Sequence, residues 1–73
     1  MIEIELVGGV KQIGETAGLV WGALAQQGPV SMAKLVKLVG KPRDTVMQAL
    51  GWLAREDKIQ IADEGRSRVI SLR

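Results

Sequence analysis

The stretch SMAKLVKLVGKPRDTVMQALGWLARE, residues 31–56 of the 73-residue chain, holds two helix-forming segments separated by only two residues. Ser31 suits the N-cap of the first segment, because its hydroxyl can accept a hydrogen bond from an N–H that the first helical turn leaves unpaired. We predict a helix over residues 32–39, which Gly40 ends. The residues predicted to form its buried stripe are Leu35, Leu38 and Val39.

The second segment begins at Pro42, which suits a first helical position because its missing N–H would have no partner there. We predict that this helix runs to about Glu56. At 100° per residue, four apolar residues fall within one arc and form the predicted core face. They are Val46, Ala49, Leu50 and Leu53. Three polar residues point away from that face, and they are Asp44, Gln48 and Arg55.

Upstream, residues 13–27 show helical spacing of apolar residues, and Gly28-Pro29 closes the segment. The predicted core face of this helix consists of Ala17, Val20, Trp21 and Leu24. Further upstream, the run Ile2-Glu3-Ile4-Glu5-Leu6-Val7 alternates apolar and polar residues with the period of a half-buried strand, and Gly8-Gly9 follows it. This strand could pair with the predicted C-terminal hairpin or across a dimer, and the sequence leaves both open.

Downstream, residues 58–62 and 66–72 are two alternating runs separated by Asp63-Glu64-Gly65, which predicts a β-hairpin. The predicted order is strand, three helices and hairpin, with a tight glycine-containing turn between the second and third helices. That order is typical of a winged helix-turn-helix. The sequence therefore predicts a single α+β domain over residues 1–73, in which a three-helix core carries a C-terminal hairpin wing and a short N-terminal strand.

Missing residue types limit the chemistry that the chain can perform. The chain has no His, Cys or Tyr, so it lacks the side chains of the common nucleophile pairs and of Cys/His zinc sites. No glycine-rich phosphate motif is complete, and the paired carboxylates fit solvated strand edges and turns. We therefore expect no catalytic residue, no metal and no cofactor. The chain also has no apolar run near 18 residues and no signal peptide, so we expect a cytoplasmic protein without a membrane span.

Two segments, IGETAGLVW at residues 13–21 and LGWLAREDKI at residues 50–59, resemble a family of small stand-alone winged helix-turn-helix proteins catalogued as a domain of unknown function. The resemblance covers about residues 13–72. It implies the winged-helix fold, with DNA binding as the usual inference from that fold. The family supplies no ligand and no site residues, so the site must be argued from the chain itself.

Charge is distributed unevenly along the chain. Residues 16–43 contain four basic residues and no acidic residue, and two arginines occupy alternate positions of the last predicted strand. These positions match the helix-turn-helix and the wing, which favours duplex DNA as the partner. The alternative is that Lys34 and Lys37 form an ordinary solvated face. The residues predicted to contact phosphates are Lys34, Lys37, Lys41, Arg43, Arg66 and Arg68, and those predicted to read bases are Thr45 and Gln48.

The first predicted helix is also apolar on the side away from its core face. Leu19, Gly22 and Ala23 are predicted to lie there, which indicates a neighbour that covers them. That neighbour is either the predicted N-terminal strand or a second copy in a homodimer. Two functions therefore stay open: a regulatory or architectural DNA-binding protein, or a protein-interaction or dimerisation module that does not bind DNA.

Overall fold

The computed structural model describes the backbone of residues 2–73 and the side chains of residues 9–73. Three helices pack against a three-stranded antiparallel sheet, so the α+β winged-helix architecture is confirmed. The strand order in the sheet is first, third, second. In chain order the elements are α1 (Ile2–Gln27), β1 (Val30–Ser31), α2 (Met32–Val39), α3 (Arg43–Arg55), β2 (Ile59–Glu64) and β3 (Ser67–Leu72).

The predicted N-terminal strand over residues 2–7 is wrong, because α1 begins at Ile2 and runs without interruption to Gln27. A strand needs a neighbour for its backbone groups, whereas a helix pairs its own. As a continuation of α1, residues 2–7 need no place in the sheet, whose three strands pair with one another. The two residues Gly8-Gly9 lower helix propensity by about 1 kcal/mol each relative to Ala, which weakens a helix without ending it.

The hydrophobic core lies between the three helices and one face of the sheet. All four predicted core residues of α3 are buried, as are three of the four predicted for α1. Their partners come from α2 and from each strand of the sheet. The complete buried apolar set is Ala17, Val20, Leu24, Val30, Met32, Leu35, Val46, Ala49, Leu50, Leu53, Ile59 and Ile70.

Two predicted core residues, Trp21 and Leu38, are instead 48% and 42% exposed. In α2 the residues that contact the core are Met32, Leu35, Val36 and Val39, spaced as one helical stripe. Leu38 lies off that stripe, about 100° from its centre. Trp21 lies at the edge of the core arc of α1, so its ring reaches solvent.

The helix-turn-helix is closed by local caps. The Ser31 hydroxyl oxygen accepts a hydrogen bond from the Lys34 backbone N–H at 3.2 Å, which confirms the predicted N-cap. Gly40 ends α2 with φ of 72°, and its N–H donates to the Val36 carbonyl at 3.1 Å. Glycine adopts this left-handed conformation without the steric cost of a side chain. Pro42 is the N-cap of α3 and not its first helical residue.

The hairpin turn is shorter than predicted, because Asp63 and Glu64 belong to β2. Glu64 opposes Ser67 in the register, so only Gly65 and Arg66 remain in the loop. Gly65 has φ of 66°, the sign that the first central position of a type II′ turn requires. Arg66 therefore lies at the tip of the hairpin, and its predicted position within the last strand is wrong.

Candidate nucleic-acid interface

One groove of about 400 Å³ lies where the start of α2, the start of α3 and the tip of the hairpin meet. Arginines reach it from two separate elements, one from α3 and two from the hairpin. Methionine, alanine and serine side chains complete its walls. The lining residues are Ser31, Met32, Ala33, Arg43, Met47, Arg66, Ser67 and Arg68.

Sheet pairing brings these segments together. β1 pairs antiparallel with β3, and Ser31 lies opposite Val69, next in sequence to Arg68. Because Ser31 is also the N-cap of α2, this pairing fixes the start of α2 beside the hairpin. Arg43 reaches the same place from the first position of α3. The convergence therefore depends on a two-residue strand that the sequence analysis did not predict.

The three arginines of the groove differ in their charge partners. The Arg68 Nε donates to the Asp63 carboxylate at 3.2 Å, across the hairpin. Among the described side chains, Arg43 and Arg66 have no carboxylate within 4.0 Å. Arg43 and Arg66 therefore carry the uncompensated positive charge of this groove, whereas the charge of Arg68 is partly balanced.

The predicted lysines lie outside the groove. Lys34 and Lys37 are exposed on α2. Lys41 and Thr45 line a separate cavity of about 190 Å³, together with Glu15 and other residues of α1. The predicted set is thus divided between the arginine groove, the exposed side of α2, and the side of α3 that meets α1.

The outer side of α3 carries Asp44, Gln48 and Arg55, all exposed as the helical period predicts. Asp44 Oδ1 accepts a hydrogen bond from the Thr45 backbone N–H at 2.9 Å, in the first turn of the helix. This contact, together with the favourable position of a carboxylate at a helix N-terminus, gives Asp44 a structural role. Arg55 is not among the predicted site residues, although its spacing of seven residues from Gln48 places both on one helix face.

Several groove residues were missed by sequence reasoning. Ser67 stands between two predicted site residues, so its position in the hairpin was a sufficient signal. Met47 lines the groove from α3 while it packs, partly buried, against the core. The pairing of β1 with β3 brings three further residues to the groove: Ser31, Met32 and Ala33. No local sequence pattern predicts this pairing.

The predicted interface on α1 is only partly exposed. Leu19 is 47% exposed and Gly22 is exposed, as expected. Ala23 instead packs partly buried against the core, so its predicted outward position is wrong. On a neighbouring side of α1, Trp21 and Trp52 line a shallow groove of about 320 Å³ between α1 and α3. Neither tryptophan lies in the core.

Residues 9–73 contain no cluster of three or more acidic, His or Cys side chains that could hold a metal ion. In the part of the chain that the structure describes, no helix combines the length and the apolar character needed to cross a membrane.

A helix-turn-helix followed by a β-hairpin defines the winged helix-turn-helix class. The chain belongs to the family described as "Winged helix-turn-helix domain (DUF2582)", whose pattern matches residues 9–72. It is 38% identical over 65 residues to uncharacterized protein MJ1608 of Methanocaldococcus jannaschii, covering 85% of this chain and 91% of that protein. The solution NMR structure of protein BT2368 from Bacteroides thetaiotaomicron superposes with a TM-score of 0.77 at 34% identity, covering 85% of this chain and 76% of that one.

Proposed function

We propose that this protein binds duplex DNA, as a transcriptional regulator or an architectural factor. The observation that carries the proposal is the convergence of Arg43, Arg66 and Arg68 on one groove between α3 and the hairpin. In a winged helix-turn-helix, the second helix of the motif and the wing approach DNA together, and guanidinium groups suit phosphate oxygens because they donate two parallel hydrogen bonds. The groove therefore favours contact with the sugar-phosphate backbone.

Different residues of this interface are suited to contact phosphates and to contact bases. Five basic side chains of the predicted site have no ion-pair partner among residues 9–73, and each is free to contact a phosphate. They are Lys34, Lys37, Lys41, Arg43 and Arg66. Gln48 is exposed on the outer side of α3, and a glutamine amide can donate to and accept from adenine, which supports a role for Gln48 in base reading. Thr45 is less suited to base reading because its side is shared with α1.

The experiment that tests this function is fluorescence anisotropy of labelled random-sequence duplex DNA, titrated with the protein over a series of salt concentrations. Each phosphate contact contributes about −0.9 to the slope of log K against log salt, so five contacts predict about −4.5. An absence of binding even at low salt would contradict the proposal.

Replacing Lys34 and Lys37 by Glu is expected to weaken binding to random duplex DNA by about tenfold or more, because two phosphate contacts become repulsive. The matched control is Lys11→Glu with Arg73→Glu, which changes net charge equally. Lys11 lies on α1, and Arg73 lies at the end of the hairpin opposite the groove, where it pairs with Asp57 at 2.6 Å. Equal affinities for the two double variants would show that α2 does not contact DNA.

A second candidate function is a protein-interaction module. It is favoured by Leu19, Trp21 and Trp52, which leave apolar surface exposed on α1 and α3. If a second copy covers this surface, Leu19→Arg is expected to shift the protein from dimer to monomer in sedimentation velocity, and random duplex DNA is expected to bind weakly. An unchanged sedimentation profile would exclude Leu19 from a dimer interface.

A further inference from the structure

β2 is an edge strand of the sheet. β3 pairs with one side of it, and no other strand within residues 2–73 pairs with its outer side. Every residue of β2 after Ile59 is exposed, and Ile61 is 45% exposed despite its apolar side chain. An open edge with exposed apolar side chains is a template for pairing with another strand.

The hydrogen-bond pattern shows which backbone groups of β2 are available. The Arg73 N–H donates to the Lys58 carbonyl at 3.0 Å, and Ile59 lies opposite Leu72. Because bonded and non-bonded pairs alternate in an antiparallel ladder, Gln60, Ala62 and Glu64 direct their N–H and C=O groups toward β3. The residues between them direct theirs outward, and they are Ile59, Ile61 and Asp63.

The charges along this edge favour a single pairing register with an identical strand. If two copies of β2 pair antiparallel about a two-fold axis at Ile61, Lys58 of each copy lies opposite Glu64 of the other. A slip of two residues in either direction loses both Lys58–Glu64 pairs, because Lys58 then lies opposite Ala62, or Glu64 lies opposite Gln60. Opposite charges across a strand pair stabilise it and like charges destabilise it, so both slips are disfavoured.

We propose that β2 is a self-association surface, and that two copies of the chain pair through it to form one continuous six-stranded antiparallel sheet. Ile61 packs against Ile61 of the second copy at the two-fold axis, and two Lys58–Glu64 pairs flank it. Ile59, Ile61 and Asp63 exchange backbone hydrogen bonds with Asp63, Ile61 and Ile59 of the second copy. This pairing uses the only open side of β2 and closes on itself, so it ends at a dimer.

A single strand pair is a small interface, so a weak, concentration-dependent dimer is expected. Amide hydrogen exchange followed by NMR tests it directly. The N–H groups of Gln60, Ala62 and Glu64 are expected to be protected at every protein concentration, because they bond within the chain. Those of Ile59, Ile61 and Asp63 are expected to gain protection only as concentration rises.

Charge reversal provides the second arm, measured by sedimentation equilibrium. Lys58→Glu or Glu64→Lys alone places like charges opposite each other at both ends, and the dimer dissociation constant is expected to rise about tenfold. An equimolar mixture of these two variants restores both opposite-charge pairs in the heterodimer, so association is expected to return. Circular dichroism of each variant verifies that the exposed substitutions leave the fold intact.

Three results would overturn the proposal. The first is a wild-type protein that stays monomeric at a concentration on the order of 1 mM. The second is a dimer that both single variants form as well as the wild type. The third is a dimer lost in Leu19→Arg but kept in the charge-reversed variants, which would place the interface on α1. None of these results depends on whether the protein binds DNA.

Discussion

Replacing both Arg43 and Arg66 by Glu is expected to lower the affinity for random duplex DNA about 100-fold. These two guanidinium groups line the groove from two different elements, α3 and the hairpin tip, and neither has a carboxylate partner among the described side chains. A hydrogen bond to a charged group contributes about 1.5–3 kcal/mol, so the lower end of that range, about 3 kcal/mol for two contacts, corresponds to a change on the order of 100-fold.

The salt dependence of the Arg43→Glu/Arg66→Glu variant separates the loss of phosphate contacts in the groove from a general effect of net charge. Three remaining phosphate contacts predict a slope of about −2.7, compared with about −4.5 for the wild type. The Lys11→Glu/Arg73→Glu variant carries the same net charge and is expected to keep the wild-type slope. If both double variants lose affinity equally, net charge and not the groove governs binding, and the proposed interface is wrong.

Arg68→Gln provides a finer comparison within the same groove. Because Arg68 already pairs with Asp63, its removal is expected to affect DNA affinity less than removal of Arg43 or Arg66. The sequence alone does not distinguish Arg68 from the other basic residues, because the order of charges along a chain does not show which side chains form ion pairs. The partner of Arg68 depends on the hairpin register, in which it opposes Asp63.

The helix-turn-helix could be predicted from the sequence because its signals are local. The Ser31 cap, the turn at Gly40 and the apolar period of α3 all lie within a few residues of the features they determine. β1 could not be predicted in this way, since two residues have no period and Val30–Ser31 is a strand only because β3 lies beside it. The N-terminal error has the same origin, because six alternating residues span less than two helical turns and do not identify a strand on their own.

The candidate site shows the same division between local and long-range information. Their charge and their positions in the sequence predict that Arg43 and Arg66 belong to the site, and both line one groove in the structure. Lys41 and Thr45 were named for the same reasons, yet they lie on the side of α3 that meets α1. The direction in which a residue at the start of a helix faces depends on how the helices pack. The spacing of charges in the sequence does not predict that packing.

Leu35→Ala is expected to have the largest effect on stability. Leu35 is fully buried in α2, and truncating a buried leucine typically costs about 2–5 kcal/mol. A domain of this size has a free energy of unfolding of roughly 4–11 kcal/mol, so the loss removes a large part of it. For a small domain 1 kcal/mol shifts the unfolding temperature by about 4–8 °C, which predicts a fall of at least about 10 °C in a thermal melt.

Leu38→Ala is the matched control, because it removes the same atoms from the same helix one turn further along. Leu38 is 42% exposed, so its truncation is expected to cost about 1 kcal/mol or less and to shift the melt by only a few degrees. Sequence periodicity placed both leucines in the core, whereas the structure separates them. Equal destabilisation by the two substitutions would show that α2 is rotated about its own axis relative to this structure. In that case the start of α2 could not form the wall of the arginine groove.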